Sequence, residues 1–254
     1  MSSTARGVLI VESRPSLVGA STDLYGASIK RIVDVILAAL LLMILAPVIL
    51  LTMLLVTMTS RGPAIYRQVR LGRGGRRITI YKIRTMVLDC ERESGPTWSR
   101  PGDPRVTPLG RWLRRTHLDE LLQLVNILRG EMSLVGPRPE RPELVGPLER
   151  ALPDYRRRLA VRPGLTGVAQ VLLPPDTDLA SVRRKLDCDL DYLENLSAWL
   201  DFRVLVGTAL TCAGVPHATI GRLLQLCPGE THRATEPNSS TLDLPSPDHA
   251  ASSA

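Results

Sequence analysis

The sequence predicts an α+β membrane protein of the monotopic kind. A re-entrant helix-break-helix hairpin sits in the bilayer, followed by a small β-hairpin and a cytoplasmic domain with amphipathic interfacial helices. Three observations lead there. Residues 35–58, VILAALLLMILAPVILLTMLLVTM, carry no charge, and about 20 such residues are enough to cross a bilayer. Two alternating stretches joined by RGG come next. Beyond them lie helical periodicities too charged to enter lipid.

The apolar segment is flanked on both sides by bases, Lys30 and Arg31 before it and Arg61, Arg67, Arg70, Arg73, Arg76 and Arg77 after it. Positive residues favour the cytoplasmic side, and a straight span cannot place both flanks there. Pro47 lies near the middle, lacks an N–H and clashes with the preceding turn, so it is the expected membrane break. A cleaved signal peptide fits poorly, since its apolar region runs to about 7–15 residues. Asp34, three residues after Arg31, can pair with it at the interface.

The chain divides into a flexible N-terminal arm (1–29), the re-entrant membrane helix (30–60), a cytoplasmic domain (61–226) and a disordered tail (227–254) rich in Ser, Thr and Pro. At 254 residues and 44% apolar, one principal domain with additions is expected. Lys and Arg number 32 against 25 acids, a net charge of +7, so the partner is anionic: nucleic acid, a phospholipid surface or a phosphorylated substrate. A single Phe, no recognisable nucleic-acid module and Arg–Pro pairs in place of one basic run argue against nucleic acid. Cys90, Cys188, Cys212 and Cys227 form no C-x-x-C pair, which argues against a disulfide framework. A zinc set of Cys212, His217, Cys227 and His232 matches no common finger spacing.

AIYRQVRLG and RRITIYKIRTM both alternate and read as the β-hairpin. Gly72, Gly74 and Gly75 between them lack the Lys-Ser/Thr pair and following helix of a phosphate cradle. Glu91 to Pro108 reads as a loop. The segment from Ser181 to Gly214 begins as a charged helix and turns apolar around Trp199, Phe202, Leu205 and Leu210. Asp201 and Arg203 oppose a second crossing, leaving a helix lying on the membrane or packed on the core.

The stretch RTHLDELLQLVNILRGEMSLVGPRPE holds two adjacent acids, Asp119 and Glu120. Helix-start duty would explain them, with Thr116 as N-cap and Asp119 as the third residue of a capping box. Leu118, Leu121, Leu122 and Val125 then form the buried stripe, with Asp119, Gln123 and Asn126 on another face. Helical neighbours diverge by about 100°, so the two acids are suited to different tasks. The company of the acids points to chemistry. Gly136 to Pro139 restrict the backbone around Arg138, fixing a guanidinium suited to bidentate phosphate contact. Lys82 and Arg84 lie on a hairpin strand, Arg111, Arg114 and Arg115 just before the acids, and Arg162 in VRPGLTG. A carboxylate among rigid cations beside a membrane is equipment for attack on phosphorus.

KRIVDVILAALLLMILAPVILL, YRQVRLG, YKIRTM, LGRWLRRTHLDELLQLVNILRGEMSLVGPRPE, VRPGLTGVAQV and LDYLENLSAWLDFRVL occur in the order seen in bacterial sugar transferases. From about Lys30 to Leu210 the chain resembles these monotopic phosphoglycosyl transferases in their small, minimal form. The resemblance implies transfer of a sugar-1-phosphate from a UDP-sugar to polyprenyl (undecaprenyl) phosphate with Mg²⁺, starting a glycoconjugate or exopolysaccharide. It also implies a cytoplasmic face of the bacterial inner membrane, with membrane lipid as a partner. By position, Asp119 resembles the nucleophile that carries the phosphosugar, and Glu120 the metal-associated acid. Lys82, Arg84, Arg114, Arg138 and Gln170 fall where substrate and phosphate contacts are expected, and Pro47 at the membrane break. The chain departs from the family pattern at Ala46, Glu131, Val168 and the VLLPPD that follows Gln170. The rival reading is a non-catalytic, membrane-anchored basic adaptor for anionic lipid or nucleic acid. The sugar, the polymer, the polyprenol length and the oligomeric state, a homodimer included, are open at this level.

Overall fold

The computed structural model describes residues 28–90, 102–176 and 178–226. The tail expected to be disordered, with Cys227 and His232, all but the last two residues of the N-terminal arm, and most of the Glu91–Pro108 loop lie outside them. The fold combines helices with two small sheets.

Helix α1, Lys30–Thr59, is long and apolar enough by length and composition to cross a membrane, reaching about 45 Å at 1.5 Å per residue. Pro47 lies inside it without interrupting it, so the expected pair of helices separated by a break is one continuous helix. Its neighbours are all apolar, and an apolar stretch offers the backbone no competing partner, so the remaining helical bonds persist around one missing donor. Ile36, Met43, Ile44, Leu50, Leu51, Leu54 and Met58 are each more than half exposed. Buried positions fall in two groups, Lys30, Asp34 and Ala38 near the start and Ile49, Thr52 and Val56 near the end, with none between 39 and 48.

The start of α1 is tied down by its polar residues. Arg31 donates to the carbonyls of Ile127 at 2.5 Å and Leu128 at 3.0 Å, complementing the negative end of the short helix they close. Asp34 accepts from the Leu134 N–H at 3.0 Å. These two residues, expected to pair with each other, each satisfy a separate backbone group, and a buried backbone group left unpaired costs more than a surface ion pair returns. Lys30 pairs with Asp201 at 2.5 Å, and Asp201 also accepts from the Tyr192 hydroxyl at 2.7 Å.

The predicted hairpin is present as β1, Ile65–Leu71, and β2, Arg77–Ile83, antiparallel with Tyr66 opposite Lys82. Gly74, at φ 68°, makes the turn between them. Helix α2, Pro108–Arg115, is capped by Thr107, whose hydroxyl accepts from the Gly110 N–H at 2.9 Å. A 3₁₀ turn, Leu118–Glu120, leads into α3, Gln123–Leu128, and then β3, Ser133–Val135. Helix α4, Pro142–Ala151, and a 3₁₀ stretch, Pro153–Ala160, precede β4, Gly164–Thr166, which pairs parallel to β3. The two strands approach so closely that a Cβ on Gly164 would sit 2.2 Å from the Gly136 nitrogen. Helices α5, Val168–Leu172, α6, Leu179–Glu194, α7, Ala198–Cys212, and α8, His217–Leu224, complete the described chain.

The charged-then-apolar segment is thus two helices, each with its own cap: Asp178 and Ser181 form a capping box on α6, and Ser197 caps α7. Helix α7 is two-faced. Asp201, Val204 and Gly207 are buried, while Trp199 (65% exposed) and Phe202 (54%) stack on the outside with ring centroids 5.5 Å apart. Ala38 of α1 belongs to the main core cluster with Ile80, Ile127, Leu134 and Val204. Val56 belongs to another with Ala64, Ile83 and Leu113. Both ends of α1 are therefore built into one folded body.

Candidate active site

Asp119 and Glu120 sit on the 3₁₀ turn, behind His117 in the left-handed region at φ 56°. The capping box is not formed. Thr116 ends α2, and its hydroxyl donates back to the carbonyls of Trp112 and Leu113 at 3.0 and 3.2 Å; α3 begins only at Gln123. The predicted faces are exchanged as well. Asp119, Gln123 and Asn126 are buried, while Leu118, Leu121, Leu122 and Val125 are half-buried. A 3₁₀ turn advances about 120° per residue and so shifts the phase of everything after it. Asn126, 0% exposed, uses the inward face. It donates to the Thr79 carbonyl at 2.7 Å and to Glu131 at 2.6 Å, and accepts from the Tyr81 N–H at 3.2 Å.

The two acids differ in their partners. Glu120 accepts from Lys82 at 2.7 Å and from both ends of the Arg138 fork, at 2.7 and 3.3 Å. Burial alone would raise it, but Arg138 and Lys82 together hold it well below the usual carboxylate range. Glu120 in turn raises Arg138 against the effect of burial. Lys82 is lowered by burial, with Glu120 opposing. No hydrogen bond or ion pair from a described residue reaches Asp119. Burial first, and the neighbouring Glu120 charge second, push it up to about 6 against Lys82, Arg114 and Arg138.

The loop that carries Arg138 is anchored at each residue. Gly136 donates to the Thr166 carbonyl and the Pro137 carbonyl accepts from Gly164, both at 2.9 Å. The Arg138 carbonyl accepts from Arg158 at 3.1 Å, that of Pro139 from Arg70 at 3.2 Å, and that of Glu140 from the Leu71 N–H at 2.9 Å. Arg158 is itself buried, paired with Asp189 at 2.6 Å and bonded to the Tyr155 hydroxyl at 2.6 Å. Prolines flanking an arginine suggested stiffness. The anchoring itself comes from residues distant in sequence.

A cleft of about 650 Å³ opens beside the acids, and Lys82, Arg114, Asp119, Glu120 and Arg138 all line it. Arg114 is steadied there by Thr85 at 2.8 Å. Arg84 borders the same cleft, but its guanidinium faces the end of α1, donating to Ser60 (carbonyl 3.0 Å, hydroxyl 2.8 Å) and to the carbonyls of Arg61 and Gly62. It anchors the end of α1 where a phosphate contact was expected. Gly62 makes this grip feasible, with φ at 104° and the Arg84 Nη1 only 2.6 Å from where a Cβ would lie. Gln170 borders a separate cavity of about 30 Å³ behind Arg138, with Asp176 and Lys185; its amide donates to the Leu165 carbonyl and its buried oxygen has no partner. Arg162 does not line the cleft. Tyr66, Gln68 and Arg70 do, and sequence reasoning passed over them. Their alternation in YRQVR places them on one strand face, which was the available signal.

Among the described residues no group of three or more His, Cys, Asp or Glu side chains could hold a metal alone. Of the two acids on the cleft, Glu120 is shared with Lys82 and Arg138, so a Mg²⁺ here would take most of its shell from substrate phosphates and water.

The bacterial sugar transferase family matches residues 25–214. A Caulobacter vibrioides UDP-glucose:undecaprenyl-phosphate glucose-1-phosphate transferase is 44% identical over 183 residues, covering 70% of this chain and 67% of that protein. An Aeromonas hydrophila UDP-N-acetylgalactosamine-undecaprenyl-phosphate N-acetylgalactosaminephosphotransferase is 39% identical, covering 73% and 44%. The exopolysaccharide production protein PSS of Rhizobium leguminosarum bv. phaseoli is also 39% identical, covering 72% and 94%. The chain thus corresponds to less than half of the Aeromonas relative and to nearly all of the Rhizobium one.

Proposed function

Because the chain belongs to the bacterial sugar transferase family, we propose that it moves a sugar-1-phosphate from a UDP-sugar to undecaprenyl phosphate through a phosphosugar carried on Asp119. The observation that carries this reading is the contrast between neighbours: Glu120 is neutralised by two cations, while Asp119 has no partner among the described residues and faces the same cleft. A carboxylate free of partners is available as a nucleophile.

In the first step an Asp119 oxygen bonds to the sugar-bearing phosphorus of the donor, and the bond from that phosphorus to the bridging oxygen breaks, so UMP departs with its electron pair. In the second step a phosphate oxygen of the lipid bonds to the same phosphorus, and Asp119 leaves as a carboxylate. Lys82, Arg114 and Arg138 balance the charge of the equatorial and leaving oxygens. Glu120 is the residue that would help hold Mg²⁺, which would supply further positive charge at the leaving phosphate. Relatives named for glucose and for N-acetylgalactosamine leave a UDP-hexose as the donor class.

The same reading puts the chain in the bacterial inner membrane as a monotopic protein, with its catalytic domain on the cytoplasmic face. Supporting it, one folded domain holds both ends of α1, Arg31 and Asp34 at one and Arg84 at the other. A straight α1 would separate Ala38 from Val56 by about 27 Å. The core clusters they enter include Ile80 and Ile83, only about 10 Å apart along one strand. A bend at Pro47 that returns the helix to its starting face accounts for both. The outward Trp199–Phe202 pair suits the headgroup region.

The test is Asp119→Asn in membranes with labelled UDP-sugar, undecaprenyl phosphate and Mg²⁺. UMP release should fall by about 10³-fold or more, and the labelled adduct should map to Asp119 in the unaltered protein. UMP release that survives the substitution removes the nucleophile. A basic adaptor would bind anions without turnover and would be indifferent to Asp119→Asn.

A further inference from the structure

We propose that Arg31, Arg73 and Arg162 form a second site, separate from the catalytic cleft, for the phosphodiester headgroup of an anionic membrane lipid. The three come from distant parts of the chain: the first turn of α1, the tip of the β-hairpin and the segment before β4. Two of them meet at Gly130. Arg162 donates through Nε to its carbonyl at 3.1 Å, and an Arg31 Nη2 lies 3.3 Å from where a Cβ on Gly130 would sit. Arg73 donates through Nε to the carbonyl of Ala160, at 3.1 Å and two residues before Arg162.

Arg73 and Arg162 are thus tethered by one edge only, and their terminal nitrogens have no partner among the described residues. Burial, and then the charges of Arg31 and Arg73, lower Arg162 below its ordinary value. Among the described residues Asp34 is the one acid acting on it, and an oxygen of that carboxylate is bonded to the Leu134 N–H. Three cations held together without a dedicated counter-charge repel one another, and a bound anion reverses that balance. Paired guanidinium edges match the oxygens of a phosphate.

Location selects the source of the phosphate. Arg31 is followed directly by Ile32 and Val33, 59% and 41% exposed, where the apolar face of α1 begins. The cluster therefore lies at headgroup depth, provided α1 lies in the bilayer as proposed above. None of the three arginines lines the cleft of Asp119.

The full chain in nanodiscs of phosphatidylcholine with a minor share of phosphatidylglycerol, analysed by native mass spectrometry, tests the site. The protein should retain phosphatidylglycerol above its bulk share. Arg73→Gln with Arg162→Gln should cut that enrichment roughly tenfold while UMP release in phosphatidylcholine alone is unchanged. Arg183→Gln with Arg184→Gln, which removes the same charge from α6, should leave the enrichment intact. Equal enrichment in the Arg73/Arg162 variant, an equal loss in the α6 variant, or displacement of the lipid by added inorganic phosphate overturns the proposal. Retention of neither lipid overturns the membrane reading itself, whereas phosphatidylcholine held without preference overturns this site alone.

Discussion

Burial pushes both Asp119 and Glu120 toward the protonated form, but Glu120 has two cations at 2.7 Å and Asp119 has none among the described residues. At neutral pH both are mainly ionised, and only Asp119, at about 6, changes charge within an accessible range. As the proposed nucleophile it would attack in its ionised form and not in its protonated form. The kcat/KM for the UDP-sugar should therefore rise with pH through about 6 and level off above it, with a tenfold loss per unit below. A rate of adduct formation that stays flat across this limb would assign the nucleophile elsewhere. The acid pair and Arg138 were legible in the sequence because their residue types and spacing are chemical in themselves. Lys82 and Arg84 were not distinguishable there, two bases on one strand face. Only the fold separates them, turning Lys82 to Glu120 and Arg84 to the carbonyls of Ser60, Arg61 and Gly62 just past α1.

Elements with a strong local signal were readable. The apolar helix and the hairpin follow from composition and alternation over a few residues. The parallel pairing of β3 with β4 did not, since each strand has three residues and their register depends on contacts about 30 positions apart. The capping box failed for a related reason: a left-handed His117 and a 3₁₀ turn, both set by tertiary packing, precede α3. Asn126 joins these elements, linking β2 to α3 and to Glu131 in the turn toward β3. Asn126→Ala would strand two buried backbone groups and a carboxylate oxygen, at a cost of about 2–4 kcal/mol. Denaturant unfolding in detergent should show this as a lower midpoint with an unchanged slope, and no shift in midpoint would mean that water replaces the amide.

For the molecule as a whole, the basic residues on both sides of the apolar stretch had already suggested that its two ends share a face. What the sequence could not supply was the fastening, which uses Asp201, Tyr192 and Leu134 at one end and Arg84 at the other. Topology can be measured with single cysteines in place of Ser28 and of Arg76, both exposed, in a background freed of the native thiols. An impermeant maleimide should label both in inverted membrane vesicles and neither in intact cells. Labelling from opposite sides would mean that α1 crosses the bilayer.

Lys82 and Arg84 are separated by a single residue of β2, and the two grip different things: one the acid beside Asp119, the other the chain just past the apolar helix. With α1 in the bilayer as proposed, a change in its tilt would pull on the same strand that sets Lys82 beside Glu120.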